Sequence, residues 1–447
     1  MFRACCKIPS NNKILSFPIT SLLINRKYAA SAAISPITVT KSKTGITTVS
    51  IKDSTPASSV SLVVKAGPRY ETINKIGAAH YLKNFAFKNT TNKTAFRITR
   101  ETELLGGVLA ASLTRENLIL TAEFLPDNLE YFLGVLSDVI FNTKYEPHEF
   151  KEVKQSVAFE RSIAEATPEV LALEAAHEAA FRDGLGNLLF ANSTTKIKSN
   201  EDVIAYANKV YTAPNITIIG TGVDHDKLTA LTENLFKDIS HAVPATPIAS
   251  KYFGGEVRLA SGNDINHYIL AFEGAPAGTP DFYTLQILRS LLDGDKHTKW
   301  GDGVTKLSQT ANKLDTKTST FNTGYSDAGI FGVYYSAAKP TSIYSAARAT
   351  VEQLQHVAKG VDKDEFQRAF AKAKYSTAIS YDTRYSKTVI LGSQVLSSAK
   401  IVSASEAVSE YDHIKETDIA NRILSSKPTA VALGDIATLP YADALSL

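Results

Sequence analysis

The chain repeats its own order of apolar segments once, with a spacing of about 210 residues. Residues 215–220 and 429–434 each form a short apolar run that follows a proline and ends in glycine. Upstream, the strand-like runs 118–124 and 329–336 are each followed closely by a proline and a long amphipathic pattern. A period this long indicates tandem duplication of a whole domain, since solenoid repeats have periods of about 20–50 residues. The alternative is coincidence among common strand and helix patterns.

Each copy arranges its strand-like and helix-like patterns in blocks rather than in strict alternation. Segments with a period of two residues occur in groups, and segments with a period of 3.6 residues follow them. This order predicts an α+β fold and differs from the regular βαβ order of a parallel sheet. A cluster of prolines and glycines marks the join between the copies. The predicted division is an N-terminal domain at 29–237, a linker at 238–255 and a C-terminal domain at 256–447.

The first 28 residues have the composition of a mitochondrial presequence. No acidic residue precedes Asp53, and five basic residues lie among serine, asparagine, leucine and isoleucine before Ala29. Arg26 stands two residues before an aromatic residue and small residues follow, which resembles a processing site. We therefore expect residues 1–28 to be cleaved and the mature chain to begin near Ala29. A disordered basic tail is the alternative.

Removal of that segment changes the charge and the cysteine content of the chain. Without five of its 48 basic residues, the chain has 43 against 45 acidic residues, a net charge of about −2. This charge disfavours a nucleic-acid partner. Cys5 and Cys6 also leave, so we expect no disulfide, cysteine metal site or cysteine nucleophile. No apolar run reaches the roughly 18–20 residues that span a bilayer, so membrane contact is expected only through partner subunits.

Residues 80–84 have the spacing of the zinc-binding helix H-x-x-E-H, but two of its three functional residues are replaced. In that motif the two histidines bind zinc from one helical face, and the glutamate acts as general base. Here His80 occupies the first histidine position, Lys83 the glutamate position and Asn84 the second histidine position. A lysine ammonium cannot accept a proton from water, and it repels a nearby metal cation. The pattern therefore predicts a peptidase scaffold without hydrolytic activity.

Together with the duplication, these residues make the chain similar to the pitrilysin/insulinase family of metallopeptidases. Within that family, it most resembles the core subunits of mitochondrial ubiquinol–cytochrome c reductase, the cytochrome bc1 complex, which are homologues without peptidase activity. The resemblance covers nearly all of the mature chain. Four segments carry it and are specific only in combination: residues 64–71, 97–107, 114–117 and 321–332.

The resemblance implies a further site residue. The third zinc ligand of active family members is a glutamate 76 residues beyond the second histidine, and the same distance from Asn84 leads to Glu160. His80 and Glu160 therefore persist, whereas Lys83 and Asn84 depart from the family's pattern. An asparagine oxygen is a poor zinc ligand, so we expect no catalytic residue and no bound metal at these four degenerate positions. We expect His80 and Glu160 to have a structural role instead.

The resemblance also implies a fold, partners and a location. The fold would be two tandem α+β domains, each a mixed or antiparallel sheet with helices packed on it, and the two halves would enclose a bowl. The chain would be a structural subunit without haem, quinone, iron–sulfur cluster or other cofactor. Its partners would be the homologous core protein 1 and the cytochrome b, cytochrome c1 and Rieske subunits of the dimeric complex. The chain would be peripheral to the mitochondrial inner membrane, on the matrix side.

Two other functions remain open from the sequence. The non-catalytic, presequence-binding subunit of the mitochondrial processing peptidase is related, but it carries a long glycine-rich loop. The comparable residues 292–303 contain only three glycines among charged residues. The second alternative, an active zinc peptidase, is opposed by Lys83 and Asn84.

His177 and Glu178 are adjacent in a helical run, and their side chains point about 100° apart. We therefore expect His177 to be a packing residue.

Overall fold

The computed structural model describes residues 37–53, 55–192, 195–242, 248–262, 264–294, 301, 303–397, 401–414 and 426–445. The predicted presequence, residues 1–28, lies outside this part of the chain, and so does most of the loop at residues 295–302. Residues 36–447 belong to one structural unit. Within the described ranges, no helix is both long enough and apolar enough to cross a membrane.

The first sheet has six strands: β1 (Ile37–Lys41), β2 (Thr47–Ile51), β3 (Ser58–Val64), β4 (Val108–Leu113), β5 (Leu118–Phe124) and β6 (Ile216–Thr221). Their order across the sheet is β1-β2-β6-β3-β5-β4. All neighbours are antiparallel except β2 and β6. The central strands β3 and β6 are buried along their whole length. A strand covered on both faces has no solvent-facing positions, so the polar residues of these two strands, such as Ser59, Ser61 and Thr217, are buried as well.

The second sheet has five strands: β7 (Gly255–Ala260), β8 (Asn266–Glu273), β9 (Lys317–Gly324), β10 (Gly329–Ala337) and β11 (Thr429–Gly434). Their order is β7-β11-β8-β10-β9, with one parallel pair, β7 and β11. When β7 is matched to β2, this order repeats that of the first sheet without β1. The predicted duplication and the predicted α+β class with mixed sheets are therefore confirmed.

Thirteen α-helices accompany the sheets in the described part of the chain. Several of these helices begin at residues that favour the start of a helix. Four start with proline, whose missing N–H costs nothing at that position, and others follow a threonine or aspartate that caps the first turn. The helices are α1 (Ala78–Phe85), α2 (Ala95–Leu104), α3 (Leu129–Phe141), α4 (Pro147–Glu165), α5 (Pro168–Phe181), α6 (Asn200–Val210), α7 (His225–Leu235), α8 (Pro280–Leu292), α9 (Lys306–Lys313), α10 (Pro340–Lys359), α11 (Lys363–Ser380), α12 (Arg384–Leu396) and α13 (Ala404–Ser409).

One face of each sheet is covered by a helix from the other half of the chain. Helix α12 lies against β3 and β6, where Leu391 and Leu396 pack on valines and isoleucines of the first sheet. Gly392 allows this close approach, since a Cβ atom there would lie 2.7 Å from a methyl carbon of Val63. Helix α5 lies against β8 and β11 of the second sheet through a row of buried alanines. Each half therefore needs the other to bury both faces of its sheet.

Candidate functional site

The four residues predicted from motif spacing lie together in the structure. Lys83 and Asn84 follow His80 by about one turn of α1, so the three side chains share one helical face. Glu160 faces them from α4. The Glu160 carboxylate lies 2.5 Å from His80 Nε2, 2.5 Å from Lys83 Nζ and 3.2 Å from Asn84 Nδ2. The structure thus brings all four positions into one hydrogen-bonded cluster.

The start of α1 is held by a buried carboxyl group. Glu71 accepts hydrogen bonds from the backbone N–H groups of Gly77 at 2.8 Å and Ala79 at 2.7 Å, two donors that a helix N-terminus leaves unpaired. Gly77 has a φ of +96°, and a Cβ atom there would lie 2.7 Å from Thr195 Cγ2. Burial raises the pKa of Glu71 to about 8 despite its two hydrogen bonds. These contacts fix the direction in which His80 points.

The imidazole of His80 is fixed in one tautomer by its two partners. Its Nδ1 atom accepts a hydrogen bond from the backbone N–H of Ala191 at 3.0 Å. The ring proton therefore resides on Nε2 and is donated to Glu160. The side chain is buried, and Phe190 packs edge-on against the ring. A zinc-bound histidine normally donates its other ring N–H to an acceptor, so His80 shows the reverse arrangement.

Three donors keep Glu160 ionised. Burial alone would raise its pKa, but hydrogen bonds from His80, Lys83 and Asn84, together with the charge of Lys83, lower the pKa of Glu160 to about 2. The Asn84 side chain also donates to the backbone carbonyl of His80 at 3.1 Å. Its amide therefore presents N–H groups, rather than its oxygen, to the carboxylate.

These side chains do not fit a zinc ion. Hydrolytic zinc takes three protein ligands and leaves a fourth position to water. Here His80 Nε2 carries a proton, Asn84 presents N–H groups, and the Lys83 ammonium bonds the carboxylate that would bind the metal. Among the described residues, no group of three or more His, Cys, Asp or Glu side chains is placed to hold a metal ion. The hydrogen bonds of Glu160 to these three side chains instead join α4 to α1.

Replacing Glu160 with glutamine is expected to lower the free energy of unfolding by about 1–3 kcal/mol at pH 7, because Lys83 loses its ion pair and the other hydrogen bonds weaken. The folded-state pKa of about 2 lies below the ordinary value of 4.5. Glu160 therefore stabilises the fold fully above pH 4.5, and this contribution is lost as the pH falls toward 2. Urea denaturation should show the difference between the two proteins shrinking from about pH 5 to about pH 3.

Glu152→Gln on the same helix is the matched control. Glu152 is largely exposed and lies 3.2 Å from Lys88 Nζ. Exposed pairs contribute less than about 1 kcal/mol, so this variant should differ little from the unmodified chain at any pH. A deficit for Glu160→Gln that is equally large at both ends of the pH range would contradict the low pKa of Glu160.

A second polar cluster joins the two halves of the chain. Arg69, after β3, lies 2.6 Å from Glu116 Oε1 in the turn between β4 and β5, and 2.5 Å from Asp327 Oδ2 in the turn between β9 and β10. The hydroxyl of Ser326 donates to Glu116 at 2.6 Å. The Arg69 side chain is only 3% exposed. We refer to Arg69, Glu116, Ser326 and Asp327 as the Arg69 cluster.

His177 lies beside this cluster and also links the two halves. Its Nδ1–H donates to the backbone carbonyl of Leu173 at 2.7 Å, and its Nε2 accepts from the Tyr325 hydroxyl at 2.8 Å. Burial, with the nearby charge of Arg115, lowers the pKa of His177 to about 3. The ring is therefore neutral at physiological pH and has both nitrogens paired, as a packing histidine does.

Sequence reasoning assigned no role to the Arg69 cluster. Its members come from three of the segments that carry the family resemblance, residues 64–71, 114–117 and 321–332. The available signal was that each of these segments contains at least one charged residue. Nothing in the local spacing shows that they pair, because Arg69 and Asp327 are 258 positions apart.

Comparison with protein families identifies the class of protein. Residues 47–193 match the family model described as Insulinase (Peptidase family M16), and residues 199–372 match the Peptidase M16 inactive domain. The chain belongs to the M16 peptidase family. It is 36% identical to the protein named cytochrome b-c1 complex subunit 2, mitochondrial, of Cryptococcus neoformans, over 91% of this chain and 94% of that protein. The protein of the same name from Neurospora crassa is also 36% identical, over 96% of each chain.

A more distant relative and a solved structure complete the comparison. The mitochondrial-processing peptidase subunit alpha of Solanum tuberosum is 28% identical, over 97% of this chain and 88% of that protein. A chain in the solved structure of Complex III2 from Candida albicans with Inz-5 bound matches with a TM-score of 0.81. The match covers 92% of this chain and 99% of that chain at 20% identity, and it confirms the fold.

Proposed function

We propose that the chain is a structural core subunit of the mitochondrial cytochrome b-c1 complex, corresponding to core protein 2. The identity with the two fungal subunit 2 proteins, which extends over more than nine tenths of each chain, carries the proposal. The chain has no redox or peptidase activity of its own, and its contribution to electron transfer is to hold other subunits in a stable assembly.

The cluster of His80, Lys83, Asn84 and Glu160 is, in this proposal, a peptidase site that has become a packing contact. The base position holds an ammonium group, and the second histidine position holds an amide. Both replacements bond the carboxylate that remains from the ligand set. The same side chains that would prevent hydrolysis therefore stabilise the contact between α1 and α4.

The proposed location is the matrix side of the inner membrane, where the chain would be peripheral. The basic segment 1–28 supports import into mitochondria with cleavage near Ala29. The proposed partners are core protein 1 and the cytochrome b, cytochrome c1 and Rieske subunits. The two sheets support the proposed domain division at 29–237 and 256–447, with the linker between them. The proposed bowl would lie between these two domains.

Native electrophoresis of gently solubilised mitochondria, followed by mass spectrometry, tests the assembly role. The chain should migrate in a large complex together with b- and c-type cytochromes, and its depletion should reduce the amount of that complex. Migration of the chain apart from both cytochromes would overturn the proposal.

A presequence-binding subunit of the processing peptidase is the second candidate. Identity to the Solanum tuberosum subunit alpha over nearly the whole chain favours it, although at a lower level than the identity to the fungal subunit 2 proteins. This candidate predicts a soluble pair with a protein that carries an intact H-x-x-E-H helix. The same electrophoresis experiment distinguishes the two functions, because only one of them places the chain with the cytochromes.

A further inference from the structure

A cavity of about 720 Å3 lies beside the C-terminal end of α5. None of His80, Lys83, Asn84 and Glu160, which we call the His80 cluster, lines it. Its walls come from the segment after β3, from the ends of α5 and α6, and from residues 248–253. The backbone N–H of Phe253 donates to the carbonyl of Ala180 at 2.7 Å, which holds this last segment against α5. The volume is within the range of about 300–1,000 Å3 that is typical of small-molecule sites.

Three lysines line the cavity, and none of them forms an ion pair within 4 Å of a carboxylate among the described residues. Lys65 is half-buried, and the structure gives its ammonium neither an ion pair nor a hydrogen bond within the described ranges. Burial lowers the pKa of Lys65, and the nearby Arg69 lowers it further, while Glu116 opposes the shift. Lys209 donates to the backbone carbonyl of Tyr70 at 3.0 Å, and Lys251 lies at the exposed rim. Because Glu116 is shared with Arg69 and Ser326, a second anion that enters the cavity would further stabilise the Lys65 ammonium.

The acidic side chains of the cavity do not cancel this charge. Glu71 is occupied by two backbone N–H groups, and burial raises its pKa to about 8, so much of it is uncharged near neutral pH. Asp183 accepts from the backbone N–H of Gly184 at 2.8 Å and is exposed. Arg69, which also lines the cavity, has its charge matched by the carboxylates of the Arg69 cluster.

Most of the remaining wall is apolar, although Asn215 and Ser250 also line the cavity. Phe181 and Val210 are buried beneath it, and Phe253 is half-buried beside them. Ile248 stands at the rim with 89% of its surface exposed, a large apolar side chain that a bound apolar group would cover. An apolar wall beside cationic groups selects ligands that have both an apolar part and an anionic part.

We propose that this cavity is a binding site for a small amphiphilic anion, a phosphate or carboxylate group attached to an apolar body. The head group binds the ammonium of Lys65, with Lys251 and Lys209 at the entrance. The apolar body lies against Phe181, Val210 and Phe253. This role is separate from assembly, since it uses neither the His80 cluster nor the Arg69 cluster's carboxylates.

Isothermal titration calorimetry on the full chain tests the proposal, with 1-naphthyl phosphate as the probe. We expect saturable binding with one site per chain, and binding at least about tenfold weaker for inorganic phosphate and for 1-naphthol, each of which offers one half of the required chemistry. Lys65→Gln should weaken binding of the probe by at least about tenfold, because it removes a charge-assisted contact. Lys251→Gln should weaken it by a smaller factor.

Lys237→Gln is the matched control, since Lys237 is exposed and does not line the cavity. It should bind the probe as the unmodified chain does. Because all variants share the basic N-terminal segment, that segment cannot cause a difference in binding between them. Equal binding by Lys65→Gln and Lys237→Gln would overturn the proposal, and so would binding of 1-naphthol as tight as that of the phosphate. Circular dichroism checks that each variant is folded, and Lys251→Gln gives an independent result at an exposed position.

A second probe, decyl phosphate below its micelle concentration, distinguishes the source of the anion. It shares the head group but replaces the aromatic body with an acyl-like chain. Tighter binding of decyl phosphate would indicate a lipid-derived anion, whereas tighter binding of naphthyl phosphate would indicate a soluble aromatic one. With either probe, the binding site is assigned by the weaker binding of Lys65→Gln. If Lys65→Gln binds both probes as tightly as the unmodified chain does, the proposal is contradicted.

Discussion

Replacing Arg69 with methionine is expected to lower the free energy of unfolding by about 3–5 kcal/mol. The change leaves the carboxylates of Glu116 and Asp327 close together without their buried cation. Burial alone would raise the pKa of Asp327, and hydrogen bonds from Arg69 and Ser250 hold it below its ordinary value, so part of the cost appears as proton uptake. Chemical denaturation followed by circular dichroism measures the loss.

The control for this variant is Arg348→Met. Arg348 is largely exposed and pairs with Glu352 one helical turn away at 3.1 Å. Such pairs contribute about 0.3–0.5 kcal/mol, so the control should be close to the unmodified chain. If Arg69→Met were no more destabilising than Arg348→Met, the Arg69 cluster would not be what holds the halves together.

The local part of the candidate site could be predicted from the sequence. Helical spacing places Lys83 and Asn84 one turn from His80, because the geometry of an α-helix is nearly invariant. The family's spacing adds Glu160, and the structure places it opposite α1. The hydrogen bond from Ala191 to His80 could not be predicted, because a backbone N–H has no signature in the sequence.

The duplication and the α+β class could also be predicted, but the order of strands across each sheet and the exchange of helices between the halves could not. Period-based patterns show that a helix has an apolar face, not which sheet it covers. Helix α5 is rich in alanine on several sides, so its sequence does not identify a single buried face. Helix α12 approaches its sheet through Gly392. The need for glycine at this position comes from Val63, which lies in the other half of the chain. Both contacts are between residues distant in sequence.

Restoring the replaced motif residues is expected to restore zinc binding. The double variant Lys83→Glu with Asn84→His removes the ammonium and supplies a second histidine opposite Glu160. We expect about one zinc per chain by equilibrium dialysis and elemental analysis of protein without a polyhistidine tag. The affinity should be about 10- to 100-fold below that of a site with intact outer hydrogen bonds, because the Ala191 N–H occupies the nitrogen that would have to carry the ring proton of His80.

Two further variants show whether the zinc occupies the intended position. Asn84→His alone keeps the Lys83 ammonium on Glu160, and addition of Glu160→Gln to the double variant removes the third ligand, so both should bind little zinc. A folded double variant that binds no zinc would mean that Glu160 cannot act with α1 as a ligand set. We expect peptide hydrolysis to return less readily than zinc, since catalysis also needs a substrate held in place by surfaces that the motif does not include. Zinc without hydrolysis would therefore separate the loss of the metal site from the loss of the peptidase.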